Sequence, residues 1–263
     1  YLARYPSGHE VEIIERTSWS CVHGVERWQS DCGCNTGGHP GWNQAWRAPL
    51  RQSLDWLRDQ VAPLYEERAQ ALLRDPWAAR DDYIDVILNR EPDNVQDYFQ
   101  RHAHHELSEE ERTAALKLLE LQRHAMLMYT SCGWFFDEIS GIEATQVLQY
   151  AGRVIQLARE LFAIDEESGF LDILQNATSN IPEQGNGRRI YERFVRPAVV
   201  DLGKVGAHFA VSSLFESYPE RSRIYCYMAD TEHYQVQEAG VARLAVGEEG
   251  AAGHIGKVPN RDP

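Results

Sequence analysis

Apolar residues recur with a helical period over most of this chain. Steps of three and four residues begin at Trp46 and continue to Leu73, which predicts a first helix that ends at Asp75 and Pro76. The same period predicts further helices over residues 77–89, 93–102, 108–129, 140–162, 169–175 and 188–214. The hydrophobic pattern therefore predicts a mainly α fold, organised as a helical bundle.

Polar residues add local signals to two of these helices. Ser108 stands three residues before Glu111, which is the spacing of a capping box at a helix N-terminus. Pro197 lies inside the last predicted helix and has no backbone N–H, so we expect a kink there.

The helical period is absent from the N-terminal part of the chain. Glycines and Pro40 interrupt residues 24–41 too often for a helix, and Val11–Ile14 is the one short stretch that suggests a strand. A loop of this length inside a compact domain is unusual unless something holds it. We therefore expect a long irregular segment, rich in Gly, Cys and Trp, that packs on the bundle.

The C-terminal part changes character again. Three stretches show strand-like alternation, namely residues 223–228, 233–238 and 241–246. They predict a short antiparallel β element, and residues 247–263 predict a loose tail. The chain thus divides into an irregular segment (1–45), a helical bundle (46–217) and the β element with its tail (218–263).

Charge and composition limit the classes of partner. The chain has 263 residues, with 26 basic and 40 acidic side chains and a net charge of −14. This excess of acid disfavours nucleic acids and anionic membranes as main partners, but it does not affect a neutral ligand such as a carbohydrate. No apolar run reaches the ~18 residues that span a bilayer, so we expect a cytoplasmic protein. The first residue is Tyr1, and we expect the chain to be part of a longer protein.

The cysteines are concentrated in the irregular segment. Cys21 and His23 are one residue apart, and so are Cys32 and Cys34, so that the four side chains can form a tetrahedral zinc site. Metal binding would also explain how a glycine-rich loop is ordered. The alternatives are buried thiols without a metal, a disulfide, or a nucleophilic cysteine with His23 or His39 as its base.

Aromatic residues accompany the glycines of the same segment. Trp28, His39 and Trp42 lie near Asn43, and indole rings that stack on sugar rings beside short polar side chains are typical of carbohydrate sites. The alternative is that these rings fill the space between the segment and the helices.

A third cluster follows the predicted helix over 108–129. Here Trp134 and two phenylalanines precede Asp137 and Glu138, and a carboxyl group against aromatic rings has a raised pKa and can act as an acid. Adjacent residues point in different directions, so the two carboxylates are not a glycosidase pair by themselves. One of them alternatively caps the helix that begins near Ser140. The tract His102–Glu106 favours a solvated loop, because its spacing does not place two imidazoles on one helical face.

Two long motifs carry a resemblance to a known family. Residues 19–28 read Trp-Ser-Cys-Val-His-Gly-Val-Glu-Arg-Trp, and residues 129–139 read Tyr-Thr-Ser-Cys-Gly-Trp-Phe-Phe-Asp-Glu-Ile. With residues 31–46, they resemble the uncharacterised domain that follows the catalytic barrel in bacterial proteins of glycoside hydrolase family 57, of the α-amylase/α-mannosidase type.

The resemblance implies a parent enzyme that retains configuration at an α-linked sugar, with a glutamate nucleophile and an aspartate acid on an incomplete β/α barrel. Neither barrel motif occurs here, so we expect no catalytic residue in this chain. Related enzymes have aromatic residues in the helical region that contribute to the sugar site. The resemblance therefore implies, by residue type alone, a sugar-binding role for Trp28, His39, Trp42 and Trp134. We add Asp137 and Glu138 to these candidates. Our first hypothesis is an accessory domain that contacts an α-linked carbohydrate through its parent, and the alternative is a structural helical module fastened by zinc.

Overall fold

The helical period of the sequence becomes a set of packed helices in the computed structural model, which describes residues 4–224, 227–239 and 242–253. The helices are α1 (Arg47–Gln70), α2 (Pro76–Asp82), α3 (Ile84–Leu88), α4 (Pro92–His102), α5 (Glu109–Leu127), α6 (Ile142–Phe162), α7 (Glu167–Leu174), α8 (Gly187–Ile190) and α9 (Leu202–Ser212). The strands are β1 (Arg221–Ile224), β2 (Tyr227–Ala239) and β3 (Ala242–Gly253). The prediction of a mainly helical fold with a short antiparallel β element is confirmed. In the described residues, no helix combines the length and the apolar character that crossing a membrane requires.

The core forms where α1 packs on α5, α6 and α7. Leu54 and Leu57 of α1, Leu119 of α5 and Leu148 of α6 are each completely buried. Burial of one such side chain stabilises the fold by about 1.5–3 kcal/mol, so this shared apolar face is the main source of stability in the bundle.

The helix ends follow their local signals. Ser108 accepts a hydrogen bond from the Glu111 N–H, and the Glu111 carboxylate accepts one from the Ser108 N–H at 2.9 Å, so the predicted capping box is present at the start of α5. Asp75 caps α2 in a similar way by accepting the N–H groups of Trp77 and Ala78. The predicted helix over residues 77–89 is divided at Tyr83 into α2 and α3.

The prediction of one long helix over residues 188–214 is wrong. After α8 the chain forms a π turn (Tyr191–Val195) and a 3-10 turn (Arg196–Ala198), and it then becomes extended at Val199. Pro197 cannot donate the hydrogen bond that an α-helix needs, so the chain breaks rather than kinks. Helix α9 begins anew behind Asp201, whose carboxylate accepts the N–H of Lys204 at 2.8 Å.

The ends of the chain differ from expectation in two places. Residues 11–14 form no strand, and their side chains are exposed. The β element is a three-stranded antiparallel sheet in the order β1-β2-β3, and its last strand includes residues 247–253 of the predicted loose tail. They pair with β2, which supplies the hydrogen bonds that an isolated tail would lack. Residues 254–263 of that tail lie outside the described residues.

A candidate metal centre beside buried charges

Four side chains of the irregular segment converge on one point. The Sγ atom of Cys21 lies 3.8 Å from the Sγ atoms of both Cys32 and Cys34. The Nδ1 atom of His23 lies 3.6 Å from Cys34 Sγ and 4.0 Å from Cys21 Sγ. All four atoms lie within 4.8 Å of one another, so the four residues can hold one metal ion.

The spacing of these atoms fits a tetrahedral zinc site. Zinc–sulfur bonds of about 2.3 Å and a zinc–nitrogen bond of about 2.0 Å place two sulfurs about 3.8 Å apart, and a sulfur and a nitrogen about 3.5 Å apart. The sulfur–sulfur distances of 3.8 Å and the distance of 3.6 Å between Cys34 Sγ and His23 Nδ1 match these edges, and the distance of 4.0 Å between Cys21 Sγ and His23 Nδ1 is somewhat longer. The three thiols are free and lie well beyond the sulfur–sulfur bond length of about 2.0 Å, so they are not joined by a disulfide.

Glycines give the backbone the turns that bring these ligands together. Gly24 follows His23, Gly33 separates the two thiols, and both have a φ of +76°. This left-handed conformation is costly for a residue with a Cβ atom. At Gly24 the cost includes a contact, because a Cβ atom there would lie only 2.6 Å from the carbonyl oxygen of Arg16.

The surroundings of Cys21 favour its thiolate. Burial opposes ionisation, but hydrogen bonds from the backbone N–H groups of Arg27 and His23 and from the thiols of Cys34 and Cys32 together outweigh it and lower the pKa of Cys21 to about 7. Burial raises the pKa of Cys32. A metal cation would favour the ionised form of both thiols, because the thiolate is the species that coordinates.

Two buried arginines join this cluster to the turn of residues 129–139, which we call the aromatic turn. Arg47, completely buried at the start of α1, donates to the carbonyl oxygen of Cys34 at 2.8 Å and to that of Phe136 at 3.5 Å. Arg27 donates to the carbonyl oxygen of Phe135 at 3.0 Å and lies over its ring. Burial lowers the pKa of Arg47, and the nearby charges of Cys32 and Asp137 act in the opposite direction.

The aromatic turn contains two buried carboxylates, those of Asp137 and Glu138. Asp137 accepts hydrogen bonds from the N–H and hydroxyl groups of Thr36 and, at 3.2 Å, from the side-chain amide of Gln44. Glu138 accepts from the Ser140 N–H at 3.0 Å, the Ser179 hydroxyl at 2.5 Å and the Asn180 N–H at 2.8 Å. Both carboxylates therefore have partners inside the protein. Asp137 holds the irregular segment, whereas Glu138 holds residues 179–180 next to the aromatic turn.

The predicted aromatic residues lie in different surroundings. Trp134 is 1% exposed and belongs to the core. Trp28 is half-buried, and its Nε1 donates to the carbonyl oxygen of Ser131 at 3.0 Å. His39 and Trp42 stack with ring centroids 3.9 Å apart, and His39 is exposed while Trp42 is half-buried. The structure brings only the last pair together at an accessible surface.

The histidine tract is a loop only from Ala103 onwards, because His102 is the last residue of α4. His104 and His105 are exposed, and the ring of His102 lies 3.1 Å from the carboxylate of Asp82. In the described part of the chain, these histidines belong to no group that can hold a metal ion.

Sequence reasoning missed the two arginines that bind the segment to the bundle. Arg47 carried a signal, because it precedes Leu50, Leu54 and Leu57 at helical spacing and therefore lies on the apolar face of α1. A charge at such a position requires buried partners. Arg27 and Thr36 showed no comparable pattern.

A family model described as Domain of unknown function (DUF3536) matches residues 42–256. The match covers most of the chain and begins after the four candidate metal ligands, although it includes Arg47 and the aromatic turn. Comparison with curated proteins and with solved structures finds no match.

Proposed function

This chain belongs to the family described as Domain of unknown function (DUF3536), and we propose that it is a helical module whose N-terminal segment is fastened by a structural zinc ion. We use the name N-terminal segment for residues 17–46. The observation that carries the proposal is the convergence of Cys21, His23, Cys32 and Cys34, whose ligand atoms all lie within 4.8 Å of one another. Four protein ligands leave no open position for substrate, which is typical of structural zinc sites.

The neighbouring charges support the same proposal. Three thiolates around one Zn²⁺ leave a net negative charge, and the buried guanidinium of Arg47 lies next to them with its bond to Cys34 O. The same arginine contacts the aromatic turn at Phe136, so the ion and the bundle are linked through one side chain. Free thiols suit a reducing compartment, and we therefore place the protein in the cytoplasm.

Elemental analysis tests the zinc proposal. The protein, purified without a metal-affinity tag, is expected to contain about one zinc per chain, because the site exists only in the folded chain and zinc binding therefore stabilises the fold. Cys34→Ser should lose the metal. The matched control is Cys132→Ser, which removes an exposed thiol outside the cluster and should keep it. A zinc content below about 0.2 per chain in the unmodified protein would overturn the proposal.

We also propose, as a second function, that the stacked pair His39 and Trp42 contacts an α-linked carbohydrate in a parent enzyme related to glycoside hydrolase family 57. The supporting observation is that this pair presents an aromatic surface next to Asn43, whose backbone is held by two hydrogen bonds with the side chain of Asn180. Aromatic surfaces beside polar groups suit sugar rings. Trp134, Asp137 and Glu138 do not enter this proposal, because their polar groups or rings are buried.

Titration with maltooligosaccharides, followed by calorimetry, tests the second proposal. We expect weak binding, with a dissociation constant of about 1 mM, that Trp42→Ala abolishes. Trp19→Ala is the control, because Trp19 is an exposed tryptophan of the same segment that does not take part in the pair. Absence of binding by the folded protein, or equal loss in both variants, would count against the proposal.

A further inference from the structure

A cavity of about 720 Å³ lies where the chain leaves the π turn and enters α9. Arg153 and Gln156 of α6 line one side of it, and Lys204 and Val205 of α9 line another. Val195, Ala198, Val199 and Val200 form an apolar wall. The volume lies within the range of small-molecule sites, which is about 300–1,000 Å³.

The backbone around this cavity departs from what the sequence predicts. The predicted helix over 188–214 is interrupted here by the π turn, and π-helical turns occur frequently at functional sites. The turn packs against Gly152 of α6, where a Cβ atom would lie 2.9 Å from Val195 Cγ1. Departures from local sequence preference are expected where a protein builds a site.

Two cations that line the cavity have few hydrogen-bond acceptors and no close carboxylate of their own among the residues that the structure describes. Lys204 donates to the carbonyl oxygens of Pro197 at 2.8 Å and Val199 at 2.5 Å, which leaves one of its three N–H donors. Among the described residues, no carboxylate lies within ion-pair distance of Lys204. Arg153 donates to Gln156 at 2.7 Å, and its nearest carboxylate, that of Glu160, is 3.9 Å away and also pairs with Lys117.

We propose that this cavity binds a small carboxylate with an apolar body. The carboxylate lies between Arg153 and Lys204, which supply charge-assisted hydrogen bonds. The apolar body contacts the wall formed by Val195, Val199 and Val205, of which Val195 and Val205 are buried. The net charge of −14 does not attract anions to the protein as a whole, so the selectivity for an anion must come from these two cations.

Calorimetric titration of the full chain with octanoate tests the proposal. We expect saturable binding with a dissociation constant below about 1 mM. Arg153→Gln and Lys204→Met should each weaken it about tenfold, because each removes a hydrogen bond to a charged group. Arg193→Gln is the matched control, since it removes an exposed arginine that faces Gln184 outside the cavity, and it should leave octanoate binding unchanged.

Two further probes separate the head group from the tail. Acetate has the carboxylate without the apolar body, and 1-octanol has the body without the charge, so both should bind more weakly than octanoate by about tenfold or more. Equal binding of octanol and octanoate would overturn the proposal, and so would octanoate binding that neither cation variant changes. No heat of binding at about 5 mM octanoate, from protein with its normal helical spectrum, would also overturn it.

Discussion

The N-terminal segment and the helical bundle are held together by different forces. In the bundle, leucines such as Leu54, Leu57 and Leu119 are completely buried against one another. In the described N-terminal segment, the buried apolar residues are Cys21 and Trp46, and the other buried side chains are polar. The bundle therefore gains its stability from removing apolar area from water, and the segment must rely on hydrogen bonds and its candidate metal ligands.

The polar contacts of the segment are not complete. Arg27, Gln44 and Trp46 of the segment each have a buried nitrogen or oxygen atom without a hydrogen-bond partner among the described protein atoms, and so do Arg47 and Trp134 of the bundle next to it. Each unpaired buried atom costs about 1–3 kcal/mol, which offsets much of what the paired atoms contribute. From this comparison we expect the bundle to fold without the segment, and the segment to require an additional source of free energy, which we propose is zinc.

Of the changes that we consider, removal of the metal is expected to have the largest effect, and this effect should be confined to the N-terminal segment. A strong chelator should release the N-terminal segment, because a structural zinc ion contributes on the order of 10 kcal/mol in small zinc-binding peptides. Limited proteolysis should then cut within residues 17–46, while the circular dichroism of the helices is retained. Continued protection of the segment, or melting of the helices with it, would contradict the difference between the two regions.

Asp137→Ala is expected to have the next largest effect. The substitution leaves the N–H and hydroxyl groups of Thr36 without their acceptor and removes a nearby carboxylate that favours the charge of buried Arg47, at a cost of about 2–3 kcal/mol. Hydrogen exchange of the segment and the free energy of unfolding both measure this. Asp172→Ala, at a carboxylate that is 61% exposed, should change neither by a measurable amount.

A pair of glycine substitutions tests the backbone of the candidate metal centre. Gly24 and Gly33 share a φ of +76°, so alanine at either position should cost about 1–2 kcal/mol. Only Gly24→Ala adds a contact, with Arg16 O, and it should therefore weaken zinc binding more than Gly33→Ala does. Competition with a chromophoric chelator measures both affinities, and equal values would show that the contact has no effect.

Ser108→Ala should have the smallest effect, and this effect should be on the helical bundle rather than on the N-terminal segment. It removes the capping box of α5 and should lower the free energy of unfolding of the bundle by about 1 kcal/mol. Zinc affinity should not change, because Ser108 lies outside the segment and its contacts. Ser108→Thr keeps the capping oxygen and should restore stability in chemical denaturation.

The elements that the sequence predicted well are those whose signals are local. The long helices α1, α5 and α6 have apolar periods over five turns or more, and the capping box at Ser108 depends on residues that are near in sequence. The break after Val195 was not predicted, since the apolar residues on both sides of it keep the helical period. Pro197 was noted, but whether a proline kinks or ends a helix depends on what the chain packs against afterwards.

By itself, the sequence determined the mainly helical class and the four candidate metal ligands Cys21, His23, Cys32 and Cys34. Both depend on residues that are close in sequence, namely on an amphipathic period and on the spacing of ligand side chains. Only the tertiary structure decided that the buried Asp137 and Arg47 hold the segment, and that a cavity opens between Arg153 and Lys204. These contacts join residues up to 101 positions apart, as between Thr36 and Asp137. Their existence depends on how the helices pack, and no local pattern specifies that packing.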